Sequence, residues 1–243
     1  MHAFAPSSQA AVTPPNPRAD GEATRQRLLD AALALFANQG FAQTSVREIA
    51  QAAQANVAAI SYHFGDKAGL YRAVFFEPVS TVEEDLARYR DEHLTLTQAL
   101  QGYYDVFLAP LLDGDTGRLC VKLRMREMLE PTGLWQEEIE HGLRPMHDQL
   151  VSVFCRHLGL EAADDDIHRL AISVMALGVQ LHIGLDVVAA VAPQLVGTGE
   201  PLLVWRDTLV RQAHAMVQAE RWRRQGEPLQ PGAAADPGAA SGG

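Results

Sequence analysis

Only two cysteines occur, Cys120 and Cys155, far apart and each in an apolar setting. That excludes a small domain stapled by disulfides and reads as two buried thiols in a reducing compartment. No apolar stretch reaches the roughly 18 charge-free residues of a membrane span. The nearest candidate, Leu170 to Val191, carries His182 and Asp186 and keeps a helical period, so it reads as a buried helix. The first 20 residues lack a charged start followed by an apolar run, so no secretory leader and a cytoplasmic location are expected. Metal-ligand spacing is missing too. His141 and His147 lie six apart with no Cys or His at a usual spacing beside them, so no metal site is expected. No nucleophile motif, phosphate loop or paired acid is placed for hydrolysis, and Gly65 and Gly69 merely open a helix. Neither an enzyme nor a cofactor is expected.

Positive charge is scarce. Against 30 acidic residues stand 20 basic ones, for a net charge of −10. The imbalance is unevenly placed: the first 70 residues are neutral, and after residue 70 the chain has 15 basic and 25 acidic residues. An acidic body discourages nucleic acid from lying against it. A neutral segment that does touch DNA makes few phosphate contacts and needs a second copy for useful affinity.

What is present is a well-punctuated stretch from Thr44 to Tyr71, TSVREIAQAAQANVAAISYHFGDKAGLY. Ser45 and Glu48 have the spacing of a capping box. Val46, Ile49, Ala50 and Ala53 then follow the three-to-four spacing of one helical face. Asn56 is a good N-cap for a second short helix with Val57 and Ile60 inside. Ala58, Ala59 and Ser61 give that helix a small outer face, and Gly65 and Asp66 break and recap the chain. Two short helices around a tight break form a helix-turn-helix. A plainer reading of the same residues exists: core aromatics at Tyr62, Phe64 and Tyr71, a capping His63 and a solvated Lys67.

The runs TSVREIA and AISYHFGDKAGLY, and the spacing between them, resemble the TetR family of one-component transcriptional regulators. RLLDAALALFANQGFAQTSVREIA carries the resemblance back to residue 25. It implies that Thr44, Tyr62 and Lys67 contact phosphates and that Asn56, Ala58, Ala59 and Ser61 face the major groove. His63 would sit near the DNA backbone, Arg47 near the backbone or a base edge, and Ser45 belongs to the same contact set. The chain departs from the family at Gln54–Ala55, where Gly then Val is usual. A left-handed turn residue other than glycine costs about 1 kcal/mol, and Ala in place of Val about 1 kcal/mol more. The REMLEPTG run, the RPMHDQL run and ISVMALGVQLHIG resemble the branch with the CecR-type C-terminal domain.

The expected architecture is all-α. A disordered arm (1–22) precedes a helix-turn-helix domain (23–71), a helical effector-binding and dimerisation domain (72–225) and a disordered tail (226–243). Helix 1 is expected over Thr24–Asn38 and ends at Gly40. The fourth helix is expected to run from Asp66 toward Tyr89, kinked or divided at Pro78. Leu94–Leu111 is expected as a helix, Asp113–Gly117 as a polar loop, and Leu119–Leu129 and Gly133–Leu158 as helices, the last broken near Pro145. A long helix capped by Asp164–Asp166 and a last helix over Leu202–Arg224, with Leu203 inside, are expected to pair two copies. Trp205 and Trp222 would help anchor that pairing. Arg124, Arg126, Glu127 and Glu130 form either a buried polar network or a solvated face.

The family resemblance implies a dimeric repressor on a palindromic double-stranded DNA operator, released by a small molecule. The expected pocket residues are Tyr103, Phe107, Arg124, Met128, His147, Gln180 and His182, although a packed core explains the same positions. A helical dimeric scaffold without DNA binding is the alternative.

Overall fold

The computed structural model describes residues 17–77, 82–196 and 200–226. Among them every regular element is a helix, as an all-α fold requires. The chain divides into two compact units between Glu77 and Pro78.

The first unit contains α1 (Pro17–Gln39), α2 (Val46–Ala52), α3 (Val57–Phe64) and α4 (Lys67–Phe76). Helix α1 starts well before Thr24, so residues 17–22 are helical and not an arm; residues 1–16 lie outside the described part. Pro17 is compatible with a first helical turn, and Asp20 complements the helix dipole there. The helix stops at Gly40, which takes φ 85° while its N–H bonds the Phe36 carbonyl at 2.9 Å. Leu28, Ala32 and Phe36 of α1 meet Ile49, Ile60, Leu70 and Val74 in a core where none is more than 2% exposed. Each large apolar side chain buried there contributes roughly 1.5–3 kcal/mol. Phe36 and Phe41 both meet the Tyr71 ring edge-on, at 4.9 and 5.0 Å between centroids. Helix α4 ends at Phe76, and its expected passage through Pro78 falls on residues 78–81, outside the described part.

The second unit begins with α5 (Val82–Ala87), so the run expected from Asp66 toward Tyr89 holds two helices, with the residues between them outside the described part. Then come α6 (Leu96–Leu112), α7 (Gly114–Leu129), α8 (Leu134–Glu138), a π-helical segment (Ile139–Leu143) and α9 (Arg144–Leu158). Helices α10 (Asp165–Ile183) and α11 (Leu185–Val191), a 3-10 turn (Pro193–Leu195) and α12 (Glu200–Gln225) complete it. Residues 227–243, most of the expected tail, lie outside the described part.

Helix α6 is central and packs on α7 and α12. Its N-terminus carries a reciprocal capping box between Thr95 and Gln98. Tyr104 is fully buried and donates its hydroxyl to the Val174 carbonyl of α10 at 2.8 Å.

Two expectations fail here, at Asp113–Gly117 and along Leu170–Val191, and the break expected at Pro145 is present. The loop at Asp113–Gly117 is the single residue Asp113, because α7 already begins at Gly114. Gly117 permits the tight corner: a Cβ there would lie 1.7 Å from the Pro110 carbonyl oxygen. The helix over Gly133–Leu158 is interrupted by the π segment just before Pro145, whose ring cannot donate to a preceding carbonyl. The apolar run from Leu170 to Val191 is bent by 73° between α10 and α11, at Gly184. No single helix among the described residues is long and apolar enough to cross a membrane.

Candidate nucleic-acid interface and effector cleft

Local chemistry builds both helices of the reading head. Ser45 Oγ accepts from the Glu48 N–H at 3.2 Å, and the Glu48 carboxylate accepts from the Ser45 N–H at 2.8 Å. These bonds to Ser45 hold the Glu48 carboxyl below its usual range. Asn56 Oδ1 accepts from the Ala58 N–H at 2.9 Å, and Asp66 Oδ1 from the Gly69 N–H at 2.8 Å. The turn between α2 and α3 contains Gln54 at φ 50°, the only non-glycine residue with positive φ among those described. The left-handed turn expected there is present, and the cost of about 1 kcal/mol falls on it.

The outward face of α2 and α3 is open. Arg47, Gln51, Asn56, Ala58, Ser61 and Tyr62 are exposed, and Ala59, His63 and Lys67 are half-buried. Tyr62 is 84% exposed. Burial alone would tuck such a ring away, so this position answers to something other than core packing. Val57, expected inside, is 40% exposed and joins this face. Its place in the first turn of a short helix, just after the cap, decides this; apolar character alone misled.

Thr44 also departs from expectation. It is 1% exposed and its hydroxyl donates to the Gly40 carbonyl at 2.8 Å. The side chain therefore ties the end of α1 to the start of α2 and is not offered to a phosphate.

The basic residues of the head have distinctive neighbours. The Lys67 ammonium sits 4.4 Å from the Phe41 ring centroid. Arg27 donates to the Ala53 carbonyl at 3.2 Å and to the Thr24 hydroxyl at 2.9 Å, fastening α1 to the end of α2. Arg25 lies over Phe64 and pairs with Glu77.

In the second unit a cleft of about 350 Å³ opens between α6, α7, α10, α11 and α12. Leu111, Val121, Ile183, Leu185, Leu195, Val196 and Leu202 form its apolar wall, with Trp205, His182, Arg118 and Asp186 as polar or amphipathic members. Trp205 donates its indole N–H to the Leu195 carbonyl at 2.9 Å. His182 donates from Nε2 to the Phe107 carbonyl at 2.8 Å, and burial pushes its imidazole pKa down, so a neutral ring is favoured.

Of the seven expected pocket residues only His182 lines this cleft. Tyr103 is 3% exposed within the core, and Phe107 packs on His182 with ring centroids 4.8 Å apart. Met128 is 44% exposed at the end of α7. Arg124 pairs with Glu138 at 3.5 Å, Gln180 is exposed, and His147 Nε2 lies 3.0 Å from His168 Nδ1. The missed members, Arg118 and Asp186, flank the one-residue corner at Asp113 and the bend at Gly184. Those two breaks would have signalled them.

The expected polar network resolves into separate parts. Arg126 pairs with Glu130 at 3.3 Å. Glu127 is fully buried and accepts from the Thr132, Leu134 and Trp135 N–H groups at 2.8–3.3 Å, capping α8. Among the described residues no group of three or more His, Cys, Asp or Glu is arranged to hold a metal ion.

A capped α2, a left-handed turn and an open α3 define a helix-turn-helix DNA-binding unit. Residues 28–74 match the family model described as bacterial regulatory proteins, tetR family. Residues 96–220 match that of the C-terminal domain of the HTH-type transcriptional dual regulator CecR. The chain belongs to the TetR family of transcriptional regulators, in the branch with the CecR-type C-terminal domain. It is 31% identical to CecR of Shigella flexneri over 155 residues, which are 59% of this chain and 69% of CecR. Similarity to YttP of Bacillus subtilis, described as a probable HTH-type transcriptional regulator, is 40% over 86 residues, covering 34% of this chain and 42% of YttP. The fold is shared with NalD, the secondary repressor of a multidrug efflux pump in Pseudomonas aeruginosa. That structure superposes with a TM-score of 0.55 at 22% identity, over 81% of this chain and 97% of NalD.

Proposed function

We propose that the protein is a dimeric repressor that binds a palindromic operator through α3 and leaves it when a small molecule occupies the cleft of the second unit. The observation that carries the DNA reading is the outward face of α3: an exposed tyrosine beside small side chains, on a helix whose opposite face is core. In this reading Tyr62 and Lys67 contact phosphates, His63 lies near the DNA backbone, Arg47 lies near the backbone or a base edge, and Ser45 belongs to the same contact set. Asn56, Ala58, Ala59 and Ser61 face the groove, and Thr44 supports from within. Dimerisation is supported by apolar residues left exposed on α10 and α12, among them Ile172, Ile183, Val204 and Trp222. Leu203, expected inside, is 46% exposed and adds to that surface. Pairing two heads also compensates for the few phosphate contacts of a neutral one. The ligand acts only if it binds the DNA-incompetent state more tightly than the competent one.

Footprinting on the DNA upstream of the protein's own gene tests this. A protected palindrome at moderate salt is expected, and its absence there and across a random-sequence pool sinks the reading. A catabolic or an efflux operon beside the gene indicates the class of effector.

A further inference from the structure

We infer that α3 reads its half-site chiefly through thymine 5-methyl groups, with Val57 and Ala58 as the reading residues; this rests on the DNA-binding reading above. The first ground is what α3 cannot do. A bidentate contact to adenine needs both the carbonyl oxygen and the amide nitrogen of an asparagine. Asn56 Oδ1 is already held by the Ala58 N–H at 2.9 Å, because the residue is the N-cap of α3. The oxygen keeps a second lone pair, but the cap bond fixes the amide at the end of the helix, and turning it to lie along an adenine edge would uncap α3. A bidentate contact to guanine needs Arg or Lys, and α3 contains neither. Arg47 stands on α2, and Lys67 rests over the Phe41 ring.

The second ground is what α3 does present. Val57 is 40% exposed and Ala58 is exposed, both in the first turn, the part of a recognition helix that reaches base edges. Two adjacent apolar side chains at that place have one complementary feature in the major groove, the methyl of thymine. Ser61 adds a single hydroxyl that pairs with either donor or acceptor and so discriminates little. The operator half-site accordingly carries thymine where α3 begins.

The test uses the full chain and duplexes it enriches from a random-sequence pool. The enriched duplex is remade with deoxyuridine for thymine, which removes the methyl and leaves every hydrogen-bonding group. Affinity is expected to fall about fourfold for each contacted methyl. The same pair of duplexes is then bound to V57S, a change at an exposed position. There the penalty for uracil is expected to shrink, because the contact is already gone. Equal affinity for thymine and uracil duplexes overturns the inference and leaves the DNA-binding reading intact. An undiminished uracil penalty in V57S also overturns it, since the methyls then act through DNA shape. Failure to enrich any duplex overturns the DNA-binding reading and this inference with it.

Discussion

The two units hold their cations differently. In the first, Lys67 lies over an aromatic ring and Arg27 is fastened by a backbone carbonyl and a hydroxyl, while Arg25 pairs with the Glu77 carboxylate. In the second, most paired guanidinium groups face carboxylates, although Arg221 donates to the His157 carbonyl and Arg211 to the Thr208 hydroxyl. Arg224 meets Glu220 and Asp164, Arg223 meets Glu220 and Asp166, and Arg206 meets Asp105 and Asp207. A ring or a carbonyl orients a cation without cancelling its charge, whereas a carboxylate cancels it. Lys67 and Arg27 thus keep positive charge uncancelled in a head of neutral sum, and the body spends most of its paired cations on holding helices together.

Four changes test that contrast, taken from the largest expected effect. Glu127→Ala strips the buried carboxylate that caps α8. It should cost the body about 3 kcal/mol in urea unfolding and leave the salt dependence of DNA binding unchanged. Lys67→Ala should weaken binding about fivefold per head at moderate salt, for every DNA sequence alike, and lower the slope of log K against log salt by about 1. A sequence-dependent loss would place Lys67 at a base edge and break the contrast. Gln54→Gly relieves the left-handed strain at φ 50° and should stabilise the head by about 1 kcal/mol in denaturant melts. The smallest effect is acid sensitivity. Hydrogen bonds from Arg224 and the Ile167 N–H hold the Asp164 carboxyl down to about 2, below its usual 3.8. A depressed carboxylate gives its stabilisation above the unfolded pKa and loses it as pH falls through the folded value. The body's melting temperature should therefore decline between about pH 4 and pH 2, and Asp164→Asn should flatten part of that decline.

The head was legible because its determinants are close in sequence. Ser45 with Glu48, Asn56, Asp66 and Gln54 each act within three residues of their partners, so residue type and spacing suffice. Thr44 was misjudged because two local uses competed for one hydroxyl, and the inward bond to Gly40 won. The body's all-helical nature followed from apolar periodicity, but the cleft did not. Arg118 and His182 come together only after α7 and α10 are packed, and the walls near them depend on a corner at Gly117 and a bend at Gly184. Aromatic and sulfur side chains drew attention to the core instead, where Tyr103 is wholly committed to packing.

The π segment at Ile139–Leu143 has a consequence for the periodicity around it. A turn of that width is equivalent to one residue inserted into a helix. Every side chain after it is rotated by about 100° from where a continuous helix would carry it. Upstream, neither α8 nor the π segment has a buried residue, whereas α9 buries Leu150, Val151, Val153 and Phe154. A single stripe drawn from Trp135 to Phe154 thus joins two different faces. The segment works as a phase shifter: it lets one covalent run of helix present a half-buried surface in its first half and a core surface in its second, with no loop between them.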